Sequence, residues 1–363
     1  MIRVVLDLNE LLRHTVEHGG SDLHVKVGTA PHVRTDGRLS ATPFDKVVPA
    51  DTERMAFAIL PQDRADEFVA TAEADFAYSV AGLGRFRVNI FRQRGSVGLV
   101  FRRVLPGIPS FESLGLPGVV RRLAEEHRGM VLVTGPTGSG KTTTIASMID
   151  HINATKAVNI VTIEDPIEVL HVDKKALVNQ REIGSDTRDY AMAMKRVLRQ
   201  DPDVIFIGEM RDPETVWAAL AAAETGHLVL STLHTTNATE TVNRIVDFFP
   251  PYQQKQVRLT LASSLRGVLS QRLLERADGK GRVPAVEALV MTGRVFDRIV
   301  DPQGQDSIED VIADGEYYGM QTFDQSLFGL YKNGLVTLRD AMATASHPHD
   351  FRIALQQAGL LAP

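Results

Sequence analysis

The stretch Gly135-Pro136-Thr137-Gly138-Ser139-Gly140-Lys141-Thr142 constrains this chain more than any other. It has a glycine, four free positions and then Gly-Lys-Thr, the phosphate-loop pattern. Its flanks are those the pattern needs. Residues 130–134 form a short apolar run that predicts a buried strand, and residues 142–149 predict the helix that follows. The glycines let backbone N–H groups turn inward around a polyphosphate, at a helix N-terminus whose dipole favours negative charge. Lys141 is then placed to reach the β- and γ-phosphates, and the Thr142 hydroxyl to sit on Mg²⁺, with Thr143 beside it. The loop predicts a protein that binds a nucleoside triphosphate.

At 363 residues the chain suits two or three domains. A net charge of −5 with both signs interspersed provides no basic footprint for a nucleic-acid backbone, so no nucleic acid is expected as a partner. Without cysteine there is no disulfide framework and no thiolate zinc site. No run is long enough to span a bilayer and no signal-peptide pattern stands at the start, so a membrane role is expected only through a partner.

Residues 1–104 predict a separate α+β unit. A helix is expected over 8–16, a strand over 21–27, paired strands around a Thr35-Asp36-Gly37 turn, and helices over 52–59 and 62–71. Two arginine-rich strands follow, 84–94 and 96–103. Arg85 and Arg87 fall on one face by the two-residue period, and Phe86, Val88 and Ile90 on the other. Such a stripe is either a solvated face or a set of cations that close over a triphosphate and stabilise transition-state charge. Residues 105–110, with two prolines and a glycine, read as a linker. From 111 to 275 apolar strands alternate with helices, which predicts an α/β core with a mostly parallel sheet. A long amphipathic helix is expected over 253–274, and a mainly helical part over 276–363 that includes one further strand over 286–291.

Hydrolysis needs an acid for Mg²⁺ and a base or orienter for water, and three strand ends offer them. Residues 162–168 place Glu164, Asp165 and Glu168 in one loop bent by Pro166. Glu168 is assigned as general base, against the alternative that these acids cap a helix. Residues 204–209 are an apolar strand ending in an acid, the Walker B pattern. Gly208 stands at the usual aspartate position, so Glu209 must serve Mg²⁺ through a water. Arg211 either pairs with Asp212 or acts in catalysis. At 226–237, His227 and His234 bracket a buried strand, and His234 among Thr232, Thr235 and Thr236 is placed to sense the γ-phosphate. No third ligand makes the two histidines a metal site.

These boxes in this order resemble the secretion ATPases of type II secretion and type IV pili, most closely the twitching-motility, pilus-retraction branch. The likeness extends to Gly20-Ser21-Asp22-Leu23-His24, residues 84–89 and 177–182, Gly208-Glu209-Met210-Arg211-Asp212, residues 223–227 and Gly319-Met320-Gln321-Thr322. The resemblance implies a RecA-like P-loop ATPase core with a smaller PAS-like N-terminal domain, ATP and Mg²⁺ as cofactors, and a homohexamer. It also implies that Arg85, Arg87 and Arg102 act as fingers on nucleotide. An inner-membrane pilus platform protein is the implied partner, with paralogous pilus ATPases beside it, at the cytoplasmic face of the membrane. The absence of a tetracysteine module and of a long N-terminal extension favours the retraction branch.

One segment departs from that branch. Its Ala-Ile-Arg-Asn-Leu-Ile-Arg-Glu motif is matched here by Arg294-Val295-Phe296-Asp297-Arg298-Ile299-Val300-Asp301, which keeps the apolar spacing and loses the arginine register. An accessory ATP-binding paralogue of the retraction motor is the alternative reading, and a nucleic-acid translocase the third.

Overall fold

The computed structural model describes residues 6–35, 37–104 and 107–361. The chain forms two compact units. One runs to Gly107 and takes in Glu168–Leu170; the other comprises Ile108–Ile167 and the chain from His171 onward. Leu105 and Pro106 of the expected linker lie outside the described residues, as does Asp36 of the expected turn.

In the first unit α1 (Leu8–Glu17) buries Leu8, Leu11, Leu12 and Thr15 at helical spacing. Asp7 caps it by accepting the Glu10 N–H at 3.0 Å. Six strands follow: β1 (Asp22–Val25), β2 (His32–Thr35), β3 (Arg38–Ala41), β4 (Glu73–Val80), β5 (Gly84–Gln93) and β6 (Ser96–Arg103). Helices α2 (Pro49–Ile59) and α3 (Gln62–Thr71) precede β4. The sheet order is β3-β2-β1-β6-β5-β4, antiparallel throughout. Phe86, Val88, Ile90, Leu99 and Phe101 fill its core beside Phe68 of α3. Strand β4, which the sequence reading did not foresee, pairs along its whole length with residues 84–91 of β5.

The second unit opens with α4 (Phe111–Leu114) and α5 (Val119–Ala124), then β7 (Gly129–Thr134), α6 (Lys141–Thr155), β8 (Asn159–Glu164), β9 (Leu177–Glu182), α7 (Tyr190–Val197) and β10 (Val204–Ile207). It continues with α8 (Pro213–Glu224), β11 (Leu228–Leu233), α9 (Ala238–Asp247), α10 (Pro251–Ser264), β12 (Leu265–Glu275) and β13 (Arg282–Val290). Among the described residues five α-helices follow, α11 (Gly293–Val300), α12 (Ile308–Ala313), α13 (Phe323–Lys332), α14 (Leu338–Thr344) and α15 (Pro348–Gln357), with a short 3₁₀ turn at Glu316–Tyr318 between α12 and α13. Its sheet runs β13-β12-β7-β11-β10-β8-β9, parallel except for the β12–β13 pair. Apolar side chains cover both faces, which is why β7 and β10 read as near-continuous hydrophobic runs and β11 departs from one only at Ser231 and Thr232.

The helix expected over 253–274 does not run that far: α10 stops at Ser264, and β12 follows at once between β7 and β13. An apolar run buried on both faces has no periodicity that separates strand from buried helix. Gly267 marks the difference, because a Cβ there would lie 2.8 Å from the Leu289 carbonyl across the ladder. In the part expected to be mainly helical, the strand expected over 286–291 is β13, which begins earlier, at Arg282, and extends the core sheet, and the helices come after it.

Candidate active site

The C-terminal ends of β7, β11, β10 and β8 lie side by side, the edge where parallel α/β sheets bind ligands. The phosphate loop leaves β7 at Gly135, whose φ of +142° belongs to glycine. A Cβ there would come within 2.5 Å of both the Gln271 carbonyl and the Ser139 Oγ. The loop is therefore closed around Gly135 and open at Pro136, Thr137 and Gly138, which are exposed. Gly140, at φ +92°, turns the chain into α6. The Lys141 ammonium is buried and donates to the Gly135 and Pro136 carbonyls at 2.8 and 3.0 Å. The Thr142 hydroxyl is on the exposed side of the helix start, Thr143 is half-buried, and the Ser139 Oγ is buried without a hydrogen-bond partner. A glycine cradle, an orphan hydroxyl and a lysine at a helix N-terminus fit a polyphosphate. A strand-end carboxylate and the Thr142 hydroxyl fit Mg²⁺, which takes few protein ligands beside substrate phosphates and water.

At the end of β8, Glu164 is buried and accepts hydrogen bonds from Thr162 Oγ1 at 2.6 Å and Gln180 Nε2 at 3.0 Å. Its partners make it part of the strand-end framework. Glu168, four residues on, groups with the first unit, where its carboxylate lies 3.7 Å from Arg87 Nη1. At the end of β10, Glu209 lies 2.7 Å from Arg211 Nη2 and 3.4 Å from His234 Nε2. Burial works to raise the Glu209 pKa, but the hydrogen bond and charge of Arg211, aided by His234, outweigh it and hold the carboxyl below its ordinary range. The open question over Arg211 is resolved against Asp212, which caps α8 by accepting the Thr215 N–H at 2.8 Å.

His234 and His227 part company. His234 follows the C-terminal end of β11, beside Glu209. His227 precedes the strand, and its Nδ1 lies 3.0 Å from the Ala222 carbonyl, the contact of a turn residue. Thr232 Oγ1 donates to the Gly208 carbonyl at 2.6 Å and ties the two strand ends together. The sequence reading missed Tyr190, whose hydroxyl lies against Gly208; no motif signals it.

In the first unit the arginines form a row across the sheet. Register pairs Arg34 with Asp22, Asp22 with Arg102, and Arg102 with Arg87. Asp22 is buried and takes the Arg102 Nε at 2.8 Å, with Arg34 at 3.9 Å. Burial works to raise its pKa, and the hydrogen bonds from Arg102 and Ser21 bring it below the usual range. Arg85 donates to Ser79 Oγ at 3.2 Å, and Arg87 is exposed. Among the described residues no helix is long and apolar enough to cross a membrane.

The family model described as type II/IV secretion system protein matches residues 117–323. The type IV pilus retraction ATPase PilT of Pseudomonas aeruginosa is 42% identical over 346 residues, 95% of this chain and 100% of that one. The type IV pilus ATPase PilU of the same organism is 40% identical over 351 residues, 97% of this chain and 92% of the relative. Among solved structures, that of the pilus retraction motor PilT with bound ADP superposes with a TM-score of 0.86 at 46% identity, covering 95% of this chain and 98% of the other.

Proposed function

The chain belongs to the type II/IV secretion system protein family, and from that premise we propose that it is a Mg²⁺-dependent ATPase motor that powers type IV pilus retraction and twitching motility. The observation that carries the reading is the set at the strand ends: the Gly135 cradle with Lys141, and Glu209 held between Arg211 and His234. The near full-length likeness to a retraction motor supplies the direction of work.

In this reading the loop from Gly135 to Thr143 holds the phosphates, while Thr142 and Glu209 hold Mg²⁺, the latter through water. Glu168 takes the proton of the attacking water, and His234 registers the γ-phosphate. The arginine face of β5 and β6 supplies positive charge to the nucleotide. Arg87 leads, because its pairing with Glu168 at 3.7 Å is loose and exposed, whereas Arg102 Nε is committed to Asp22 at 2.8 Å and Arg85 donates to Ser79. The working particle is a homohexamer at the cytoplasmic face of the inner membrane, reaching the membrane through a pilus platform protein and joined by paralogous pilus ATPases, with no nucleic acid.

A second reading, an accessory subunit of such a motor, draws on the likeness to PilU and on the altered 294–301 segment. That segment forms α11, with Val295 and Ile299 buried and Arg294 paired to Asp306 and Asp314 on the surface. ATP turnover of the purified protein, measured with its mass in solution, separates the two. Mg²⁺-dependent turnover by a particle of six subunits is expected for the motor. Tight ATP binding with almost no turnover would give the accessory role instead.

A further inference from the structure

Tyr190 opens α7, one residue after the cap Asp189, whose carboxylate accepts the Met192 N–H at 2.7 Å. Its ring packs against the apolar core, and its hydroxyl reaches the ends of β8 and β10. A methyl group placed on Gly208 would lie 2.9 Å from that hydroxyl and 3.3 Å from the Ile163 carbonyl. Four charged groups act on the phenol: Asp165, Arg211, Glu209 and Glu164. Burial first, and then the charge of Asp165, push its pKa up, against the pull of Arg211. The phenol stays a neutral O–H group among three carboxylates.

We propose that Tyr190 is a positioning residue for the hydrolysis, its hydroxyl taking the space that a side chain at position 208 would fill and orienting Glu209 on the water it shares with Mg²⁺. The inference rests on the ATPase reading and deepens it. It explains why the strand end tolerates glycine where an aspartate is usual: the missing side chain makes room for a hydroxyl delivered from α7. A neutral group there adds a hydrogen bond without adding a fourth negative charge beside the phosphates.

Tyr190→Phe tests it, since the ring and its packing remain. The expected result is an unchanged melting temperature and ADP affinity, a kcat lowered about tenfold at constant KM, and Mn²⁺ bound roughly fivefold more weakly to the ADP-loaded protein by EPR titration, the scale of one lost hydrogen bond. Gly208→Ala, which displaces the hydroxyl, should reproduce the loss and add little in the Tyr190→Phe background. Wild-type kcat and Mn²⁺ affinity in Tyr190→Phe would overturn the proposal, and so would a melting temperature that falls with every other readout. If the unaltered protein showed no Mg²⁺-dependent turnover, the ATPase reading would fail, while the Mn²⁺ titration would still decide whether the hydroxyl serves the metal water.

Discussion

Glu209 follows β10 and Glu287 lies within β13, at the far side of the same seven-stranded sheet, and burial works against the charged form of both. Each has an arginine near it, yet they move in opposite directions. Arg211 meets Glu209 directly at 2.7 Å and keeps it ionised. Arg272 donates instead to the Thr344 carbonyl and, at 3.3 Å, to Ser346 Oγ, and lies over the Phe323 ring. Burial therefore dominates at Glu287, reinforced by the charge of Glu309. The Ala238 N–H bond at 2.7 Å and the Arg272 charge offset it only in part, and the pKa is raised to about 7. A cation in the neighbourhood does not fix the charge of a carboxylate withdrawn from solvent; a directed hydrogen bond from that cation does.

The largest effect is expected where the ionised member is removed. Glu209→Gln should retain ATP binding and lower turnover by roughly 10²- to 10³-fold, as measured by phosphate release at saturating Mg·ATP. Near-normal turnover would mean that the ionised state at this end of the sheet has no part in the chemistry. Next comes the protonated member. The folded-state pKa of Glu287 is raised above its ordinary 4.5, so the folded chain binds that proton more tightly than the unfolded chain does. Stability from this group is present below pH 4.5 and is lost as pH rises to about 7, by on the order of 3 kcal/mol. Glu287→Gln keeps the acceptor for Ala238 and should flatten that decline in denaturation measured between pH 5 and 8. An equal decline in the variant would place the linkage elsewhere.

A smaller effect is expected for Arg211→Gln. Without its partner, Glu209 should titrate higher, so the acid limb of the kcat–pH profile should move upward, with turnover near neutrality reduced by less than about tenfold. A limb that does not move would separate Glu209's charge from Arg211.

Much of this framework is legible in the residues. The phosphate loop, the apolar runs before Glu164 and Glu209, and the extent of α3 follow from local pattern, because buried strands and a helix-bounding proline such as Pro61 leave local traces. What was not legible depends on tertiary neighbours. Strand β12 has a helix-compatible pattern until β7 and β13 flank it. Arg211 stands beside both Glu209 and Asp212 in sequence, and only the start of α8 draws Asp212 away as a cap. Tyr190 lies 18 positions before Gly208, and nothing in either residue's surroundings in the sequence announces that one fills the space the other leaves.

The smallest effect is expected in the first unit. Asp22 and Arg102 repeat the Glu209–Arg211 arrangement, a carboxylate withdrawn from solvent and met directly by an arginine. But Asp22 is buried where Glu209 is half-buried, and it lies on an antiparallel face with Arg34 and Ser21 also at hand. Arg102 is itself largely exposed, so solvent screens the pair, and Arg102→Ala should cost about 1 kcal/mol at neutral pH. The sign follows from the depressed pKa of Asp22: the contribution is present above the ordinary carboxylate pKa of 3.8 and is lost as pH falls through the lower folded value. The difference between variant and wild type should therefore shrink in acid, the reverse of the Glu287 trend. Turnover should change by less than about tenfold, because Arg102 Nε holds Asp22, whereas an arginine finger removed at full effect costs roughly 10³-fold. A loss of that size at unchanged stability would return Arg102 to the nucleotide and make the Asp22 bond incidental.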